Sequence, residues 1–237
     1  KQYRLEYSYY LKQLAKLAPG IQDDVYESYY KLADDVTLEQ IEAALSDFEY
    51  TGDEYSYFGN IPTLKEKLIT SYSVKELLVL IDNIDAEQPF KEDVTVEELK
   101  TAYEVIVARG DDTATGTAQQ LLFNYINALG ETVLYSMRIE GNYYGELQPL
   151  ATTEQVNGVI EKFTALQAFI VPENLAGAIN QLNERKALLA FSALLVEGTN
   201  NVLKDDTTLQ HIIDIYNTMD AELKDTDIHY EMNYLFI

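Results

Sequence analysis

Apolar side chains recur every three or four residues over most of this chain, a spacing that places them on one face of an α-helix. The first segment shows the pattern in Tyr3, Tyr7, Leu11 and Leu14, and Pro19-Gly20 is expected to end that helix. No segment keeps up the alternation of apolar and polar residues that is typical of a half-buried strand. The pattern therefore predicts an all-α fold.

Helix starts carry a second signal, the capping box, in which a hydroxyl residue is followed three positions later by Glu or Gln. The two residues of such a box satisfy each other's backbone N–H groups through their side chains. Five segments fit this pattern: Thr37–Gln40, Ser73–Glu76, Thr95–Glu98, Thr152–Gln155 and Thr207–Gln210. Their starts are 36, 22, 57 and 55 residues apart, which indicates no fixed period and no regular helical repeat.

Together the two signals predict nine or ten helices that pack as an irregular bundle or as a stack of helical hairpins. Gly110 is expected to end the helix before it, and Gly130 to kink or split a long helix. The predicted helices cover residues 2–18, 22–34, 37–50, 62–71, 73–84, 95–109, 115–138, 152–170, 173–197 and 206–223.

The length of 237 residues fits one helical domain over 1–237. The longest interruption of the helical pattern in the second half runs from Glu140 to Pro149. If the chain has two lobes, 1–140 and 150–237 are the expected ones.

Charge limits the possible partners. Forty acidic residues against seventeen basic ones give a net charge of −23, a surface that repels nucleic acid and anionic membranes. No apolar run approaches the roughly 20 residues that a membrane helix needs, so no membrane insertion is expected. The acidic excess is densest from Gln22 to Glu54, and it forms either a solvated face or a docking surface for a basic partner or for cations.

The chain contains no cysteine, which excludes disulfides, thiolate zinc sites, iron–sulfur clusters and cysteine nucleophiles. It starts at Lys1 and not at methionine, which is typical of a mature exported chain or of a shortened one. We therefore expect a secreted, periplasmic or cell-surface protein.

Motifs for catalysis are missing: the sequence has no phosphate-binding glycine loop, nucleophile elbow or zinc-binding helix motif. His211 and Asp214 lie three residues apart on a predicted helix and are candidate metal ligands. Asp225, Asp227 and His229 form a second fragment. Neither group shows enough ligands from spacing alone, so no cofactor is expected, and a surface or capping role explains the histidines equally well.

Nineteen tyrosines and no tryptophan make the aromatic residues the second unusual feature of the composition. Two aromatic clusters lie between predicted helices: Tyr55, Tyr57 and Phe58, and Tyr143 with Tyr144. Loops that present aromatic side chains are common in binding sites. The alternative is that these side chains fold back onto the core.

The sequence therefore predicts a non-enzymatic helical binding or interaction protein. A protein, peptide or glycan partner would be recognised through these five aromatic residues and the acidic, tyrosine-rich N-terminal third. Two alternatives stay open. One is a protein that binds haem or another small molecule, since tyrosine can be an axial ligand. The other is a metal-dependent hydrolase that uses carboxylates and His211.

Overall fold

The computed structural model describes residues 2–22, 29–46, 60–82, 90–139, 143–148, 150–170, 173–197 and 202–217. Within these residues the chain forms nine α-helices, one 3-10 turn (Pro19–Gln22) and no β-strand. The helices are α1 (Gln2–Leu17), α2 (Leu38–Ser46), α3 (Asn60–Ser73), α4 (Lys75–Leu78), α5 (Val96–Ala108), α6 (Asp112–Glu131), α7 (Thr153–Gln167), α8 (Glu173–Ser192) and α9 (Leu209–Asn217). The predicted all-α class is confirmed.

The chain divides into two compact units, Lys1–Tyr125 and Ile126–Ile237, and the division falls within α6. The segment 140–149, where the sequence suggested a cut, therefore lies inside the second unit. In the first unit α2 packs against both α1 and α3, and in the second α8 packs against both α7 and α9. None of the described helices is long and apolar enough to cross a membrane.

The predicted helix over 22–34 is wrong in its described part, because residues 29–33 are not helical. The backbone N–H of Tyr30 donates instead to the Ser71 hydroxyl at 2.9 Å, and that of Ala33 donates to the Leu17 carbonyl at 2.8 Å. Tyr30 is buried in a core cluster with residues of α1, α2 and α3. Its apolar neighbours Leu32 and Ala33 therefore pack on the core from a segment that is not helical.

Further predicted helices are shorter than expected. The described part of 73–84 contains the last residue of α3 and the single turn of α4, the helix predicted over 115–138 ends at Glu131, and the one over 173–197 ends at Ser192. Gly130 is the next-to-last residue of α6, so the helical part of the predicted element ends one residue after this glycine. Gly110 does follow the end of α5 and has φ +71°, the left-handed conformation expected of a helix-ending glycine.

Three of the five predicted capping boxes are confirmed, those that start at Thr37, Thr95 and Thr152. The box at Ser73 is wrong, because its hydroxyl donates to the Thr70 carbonyl and α4 has no side-chain cap. The fifth box, predicted at Thr207, is shifted by one residue. Thr208 caps α9, and its N–H donates to Nδ1 of His211 at 3.3 Å.

These corrections reveal a repeat that the sequence analysis missed. The caps of α2, α5, α7 and α9 are Thr37, Thr95, Thr152 and Thr208, which are 58, 57 and 56 residues apart. We call these four helices the capped helices. Each follows another helix through a return segment, and we call helix, return segment and capped helix together a module.

The same backbone hydrogen bond closes all four return segments, and we call it the ladder bond. It runs from the residue four positions before the cap to the end of the preceding helix. The donors are the N–H groups of Ala33, Lys91, Gln148 and Lys204, and the acceptors are the carbonyls of Leu17, Leu80, Val133 and Leu194, at 2.8–2.9 Å. A tight turn then leads into the cap in every module.

Burial follows the same register. The fourth residue of each capped helix is buried: Ile41, Leu99, Val156 and Ile212. In the first two modules the residue before the cap, Val36 or Val94, is also buried, as a hydrophobic staple requires. Each cap thus fixes the helix start and the angle at which its apolar stripe meets the core.

Removing one cap tests its contribution. Thr95→Ala removes the acceptor for the Glu98 N–H, at 3.2 Å, and the hydroxyl that donates to Glu98 at 2.7 Å. We expect a loss of about 1 kcal/mol in the free energy of unfolding, measured by urea denaturation. Thr101→Ala is the matched control, since its exposed hydroxyl only back-bonds to Glu97 within α5. A control variant that loses as much would contradict the assignment.

The boxes at Thr95 and Thr152 should differ in pH dependence. Hydrogen bonds from the backbone N–H and the hydroxyl of Thr95 lower the pKa of Glu98. A lowered pKa in the folded state means that this stabilisation is complete above the unfolded pKa and is lost as pH falls through the lowered value. The penalty of Thr95→Ala should therefore shrink in acid, measured by denaturation at decreasing pH. The penalty of Thr152→Ala should stay constant, because its partner Gln155 does not titrate.

Candidate functional site

The return segment of the third module forms a hairpin, which the described residues of the other return segments do not. Leu134 bridges to Leu147 and Arg138 bridges to Tyr143, in one antiparallel register. The Tyr135 N–H donates to the Glu146 carbonyl at 2.9 Å between these bridges. We call residues 134–139 and 143–148 the aromatic hairpin. The second and fourth modules each have a single bridge in their described residues.

Gly145 allows the two sides of the aromatic hairpin to approach each other. Its φ is +60°, and an added Cβ would lie 2.3 Å from the Ser136 carbonyl oxygen. Both the backbone conformation and the close contact exclude a side chain here. The glycine therefore fixes the register that brings Tyr143 opposite Arg138.

The hairpin is held on α6 by the Met137 side chain, which packs directly against Gly130. Met137 is buried, and an added Cβ at Gly130 would lie 1.8 Å from its sulfur atom. Beside it, the Ile139 N–H donates to Oδ1 of Asn127 at 3.2 Å. Gly130, at the end of α6, thus gives the hairpin a place to pack.

The base of the hairpin is closed by one amide side chain. Nε2 of Gln148 donates to the carbonyls of Glu131 and Leu134, the second at 3.1 Å. These carbonyls lie at the end of α6 and just beyond it, where no intrahelical donors are available. Gln148 also supplies the ladder bond to Val133, so its backbone and side chain both hold the hairpin base.

The two neighbouring tyrosines of the predicted site have different environments. Tyr144 is half-buried and packs on α8, where an added Cβ at Gly177 would lie 3.2 Å from its hydroxyl oxygen. Burial raises the pKa of this hydroxyl. Tyr143, in contrast, is 58% exposed. Tyr144 therefore supports the hairpin, and Tyr143 is available to a partner.

Further exposed side chains lie on the hairpin or next to it. Tyr135 is 62% exposed and Leu150 is 90% exposed. Arg138, which lies across the hairpin from Tyr143, and Glu146, which lies across from Tyr135, are also exposed. The sequence analysis missed Tyr135 because it placed this residue in a helix. The apolar pattern continues from α6 into the hairpin without a break, so periodicity gave no signal of the change.

The remaining predicted site residues fall into two groups. Tyr55, Tyr57 and Phe58 lie outside the described residues, as do Asp225, Asp227 and His229. His211 accepts the Thr208 N–H and so acts in a cap, while Asp214 accepts a hydrogen bond from Gln210 at 2.7 Å. The described residues contain no group of three or more potential metal ligands.

Carboxylates border the turns before three of the four caps. The exposed pairs are Asp34 with Asp35, Glu92 with Asp93, and Asp205 with Asp206. In the first two modules a further exposed glutamate, Glu39 or Glu97, follows the cap. The acidic surface predicted from the N-terminal third thus has a counterpart in the second and fourth modules.

Comparison of the chain with models of known protein families, with curated proteins and with solved structures finds no match. Function is therefore inferred from the residues and geometry of this chain.

Glycine substitution tests whether the hairpin is built as described. Gly145→Ala should lower the free energy of unfolding by about 2 kcal/mol, because of the left-handed φ and the backbone contact. Gly158→Ala is the matched control, since an added Cβ in α7 meets nothing within 4 Å. It should raise stability by about 0.5–1 kcal/mol through helix propensity. Urea denaturation of both variants measures the difference, and equal effects would contradict the close approach at Gly145.

Proposed function

We propose that this protein is a non-enzymatic binding module that recognises a protein, peptide or glycan through the aromatic hairpin. The observation that supports it is the exposure of Tyr143 on a backbone held at Gly130, Gln148 and Gly177. Because these contacts hold the backbone of the hairpin, the Tyr143 side chain is already positioned for binding in the free protein.

Tyrosine suits this role energetically. Its ring offers a large contact area with few rotatable bonds, so little side-chain entropy is lost on binding. Aromatic residues of this kind supply a large part of the affinity in many interfaces. Because the hairpin backbone is already fixed, the partner does not have to supply the free energy of ordering it.

The polar neighbours favour a partner with hydrogen-bonding groups. Arg138 lies across the hairpin from Tyr143 and offers a planar set of N–H donors, and Glu146 lies across from Tyr135 and offers acceptors. Peptide carbonyls and sugar hydroxyls both match this combination of ring and polar groups. The acidic turns before the caps would steer a basic partner towards the protein.

The proposal includes a location outside the cytoplasm, as a secreted, periplasmic or cell-surface protein. Fractionation of the producing cells, with detection by an antibody, tests this part separately.

A binding screen with matched tyrosine variants tests the role of the hairpin. Wild-type protein is applied to arrays of peptides and glycans, and each ligand found is titrated by calorimetry. Tyr143→Ala should weaken binding about 30-fold, the effect of a central aromatic contact of about 2 kcal/mol. Its thermal stability should change little, because the ring is exposed.

Tyr9→Ala is the control, since Tyr9 on α1 has the same exposure of 58% as Tyr143. It should leave binding to these ligands unchanged. Equal affinities of wild type and Tyr143→Ala for every ligand would reject the hairpin as the recognition surface. A large loss of stability in Tyr143→Ala would instead assign the ring a structural role.

A further inference from the structure

The apolar stripe of α9 extends beyond the contact of this helix with α8. Ile212 is buried in a cluster with Ala187 and Phe191 of α8. Leu209 and Ile213 belong to the same stripe, because they lie three residues before and one residue after Ile212, yet Leu209 is 67% exposed and Ile213 is 39% exposed. We call Leu209 and Ile213 the outer face of α9. Exposed apolar side chains at the edge of a packed stripe can make a further contact.

The other capped helices expose less apolar surface at the positions of the outer face. At the position of Ile213, five residues after the cap, they carry polar residues: Glu42, Lys100 and Asn157. At the position of Leu209, one residue after the cap, the apolar residues of the first two modules, Leu38 and Val96, are partly buried. In the return segment Leu203 is 37% exposed, whereas its equivalent Phe90 in the second module is 2% exposed. The fourth module therefore exposes apolar side chains where the other modules have polar residues or apolar residues that are at least partly buried, as interaction sites do.

Carboxylates lie near the outer face in the chain. Asp205 and Asp206 precede α9, Asp214 follows Ile213, and all three are exposed. The ion pairs among the described residues join Lys100 to Glu104 and Arg109 to Glu76. None of the three aspartates therefore forms an ion pair within this part of the chain. A partner for this face should therefore combine apolar area with positive charge.

The first helix of the chain has that combination. Lys12 and Lys16 are exposed one turn apart on α1, and Tyr9, one turn before Lys12, is exposed as well. Lys16 donates to Gln13 at 2.8 Å, and neither lysine pairs with a carboxylate in the described part of the chain. In a chain with 40 acidic and 17 basic residues, such a lysine pair is an uncommon surface.

We propose that α9 of one copy docks on α1 of a second copy. The outer face of α9 contacts the side of α1 that carries Tyr9, and the three aspartates lie near Lys12 and Lys16. The contact joins two different surfaces, so each copy can use both of its own, reciprocally in a dimer or successively in a ring or filament. Repulsion between chains of charge −23 is screened at about 0.15 M salt, where the Debye length is about 8 Å.

Analytical ultracentrifugation of the full chain at that ionic strength tests the proposal. The weight-average mass of the wild type should rise above the 27.0 kDa of one chain as concentration increases. Leu209→Glu should weaken association at least tenfold. Val105→Glu is the matched control, because it makes the same change at an exposed position of α5, and it should associate like the wild type.

Charge reversal identifies the two surfaces. Lys12→Glu with Lys16→Glu makes both surfaces acidic, and Asp205→Lys, Asp206→Lys and Asp214→Lys together make both basic. Each variant alone should stay monomeric, and an equimolar mixture should regain association because unlike charges face each other again. Circular dichroism checks that both are folded, and the single changes Lys16→Glu and Asp206→Lys replace any variant that is not.

Several results would overturn the proposal. A wild type that stays monomeric at every concentration would remove the contact altogether. Association that survives both charge reversals, or Leu209→Glu, would place it on other surfaces. A mixture of the two reversed variants that stays monomeric would show that α1 and α9 do not face each other.

Discussion

The backbone N–H groups at the start of each capped helix impose the constraint on which the rest of the described structure depends. A helix start leaves its first amides without intrahelical partners, and every module satisfies some of them with a threonine box. A tight turn and the ladder bond then tie the same point to the end of the preceding helix. Because the ladder bond and the turn use only backbone atoms, the side chains of the return segments can differ from module to module. The geometry therefore recurs four times in segments of quite different sequence.

The fourth module shows how far the side chains can change while the geometry is kept. His211 occupies the position that Gln40, Glu98 and Gln155 hold in the other boxes, and its Nδ1 accepts the Thr208 N–H. Nδ1 can do so only when it carries no proton, which in a neutral imidazole places the proton on Nε2. A histidine and an aspartate three residues apart resemble a fragment of a metal site, but the cap alone explains this histidine.

Local chemistry was predictable from the sequence, and chemistry that joins distant segments was not. The boxes at Thr95 and Thr152 depend on residues three apart, so their pattern is visible in the chain. The non-helical segment around Tyr30 is held by hydrogen bonds to Leu17 and Ser71. Its apolar spacing also fits a helix, because periodicity in a short apolar run does not distinguish helical from non-helical structure. In the candidate site Tyr143 was predicted, but the burial of Tyr144 against Gly177 and the exposure of Tyr135 depend on tertiary packing.

The ladder bond has a further consequence for how the chain can tolerate insertions. It joins residues 16 positions apart in the first module and 10 apart in the fourth, with the same closure at the helix ends. Since the entropy of closing a loop grows only slowly with its length, extra residues placed between the two ends cost little and leave the helices in register. Related chains can therefore diversify these segments independently of the helical core, as happens in scaffolds that carry variable recognition loops.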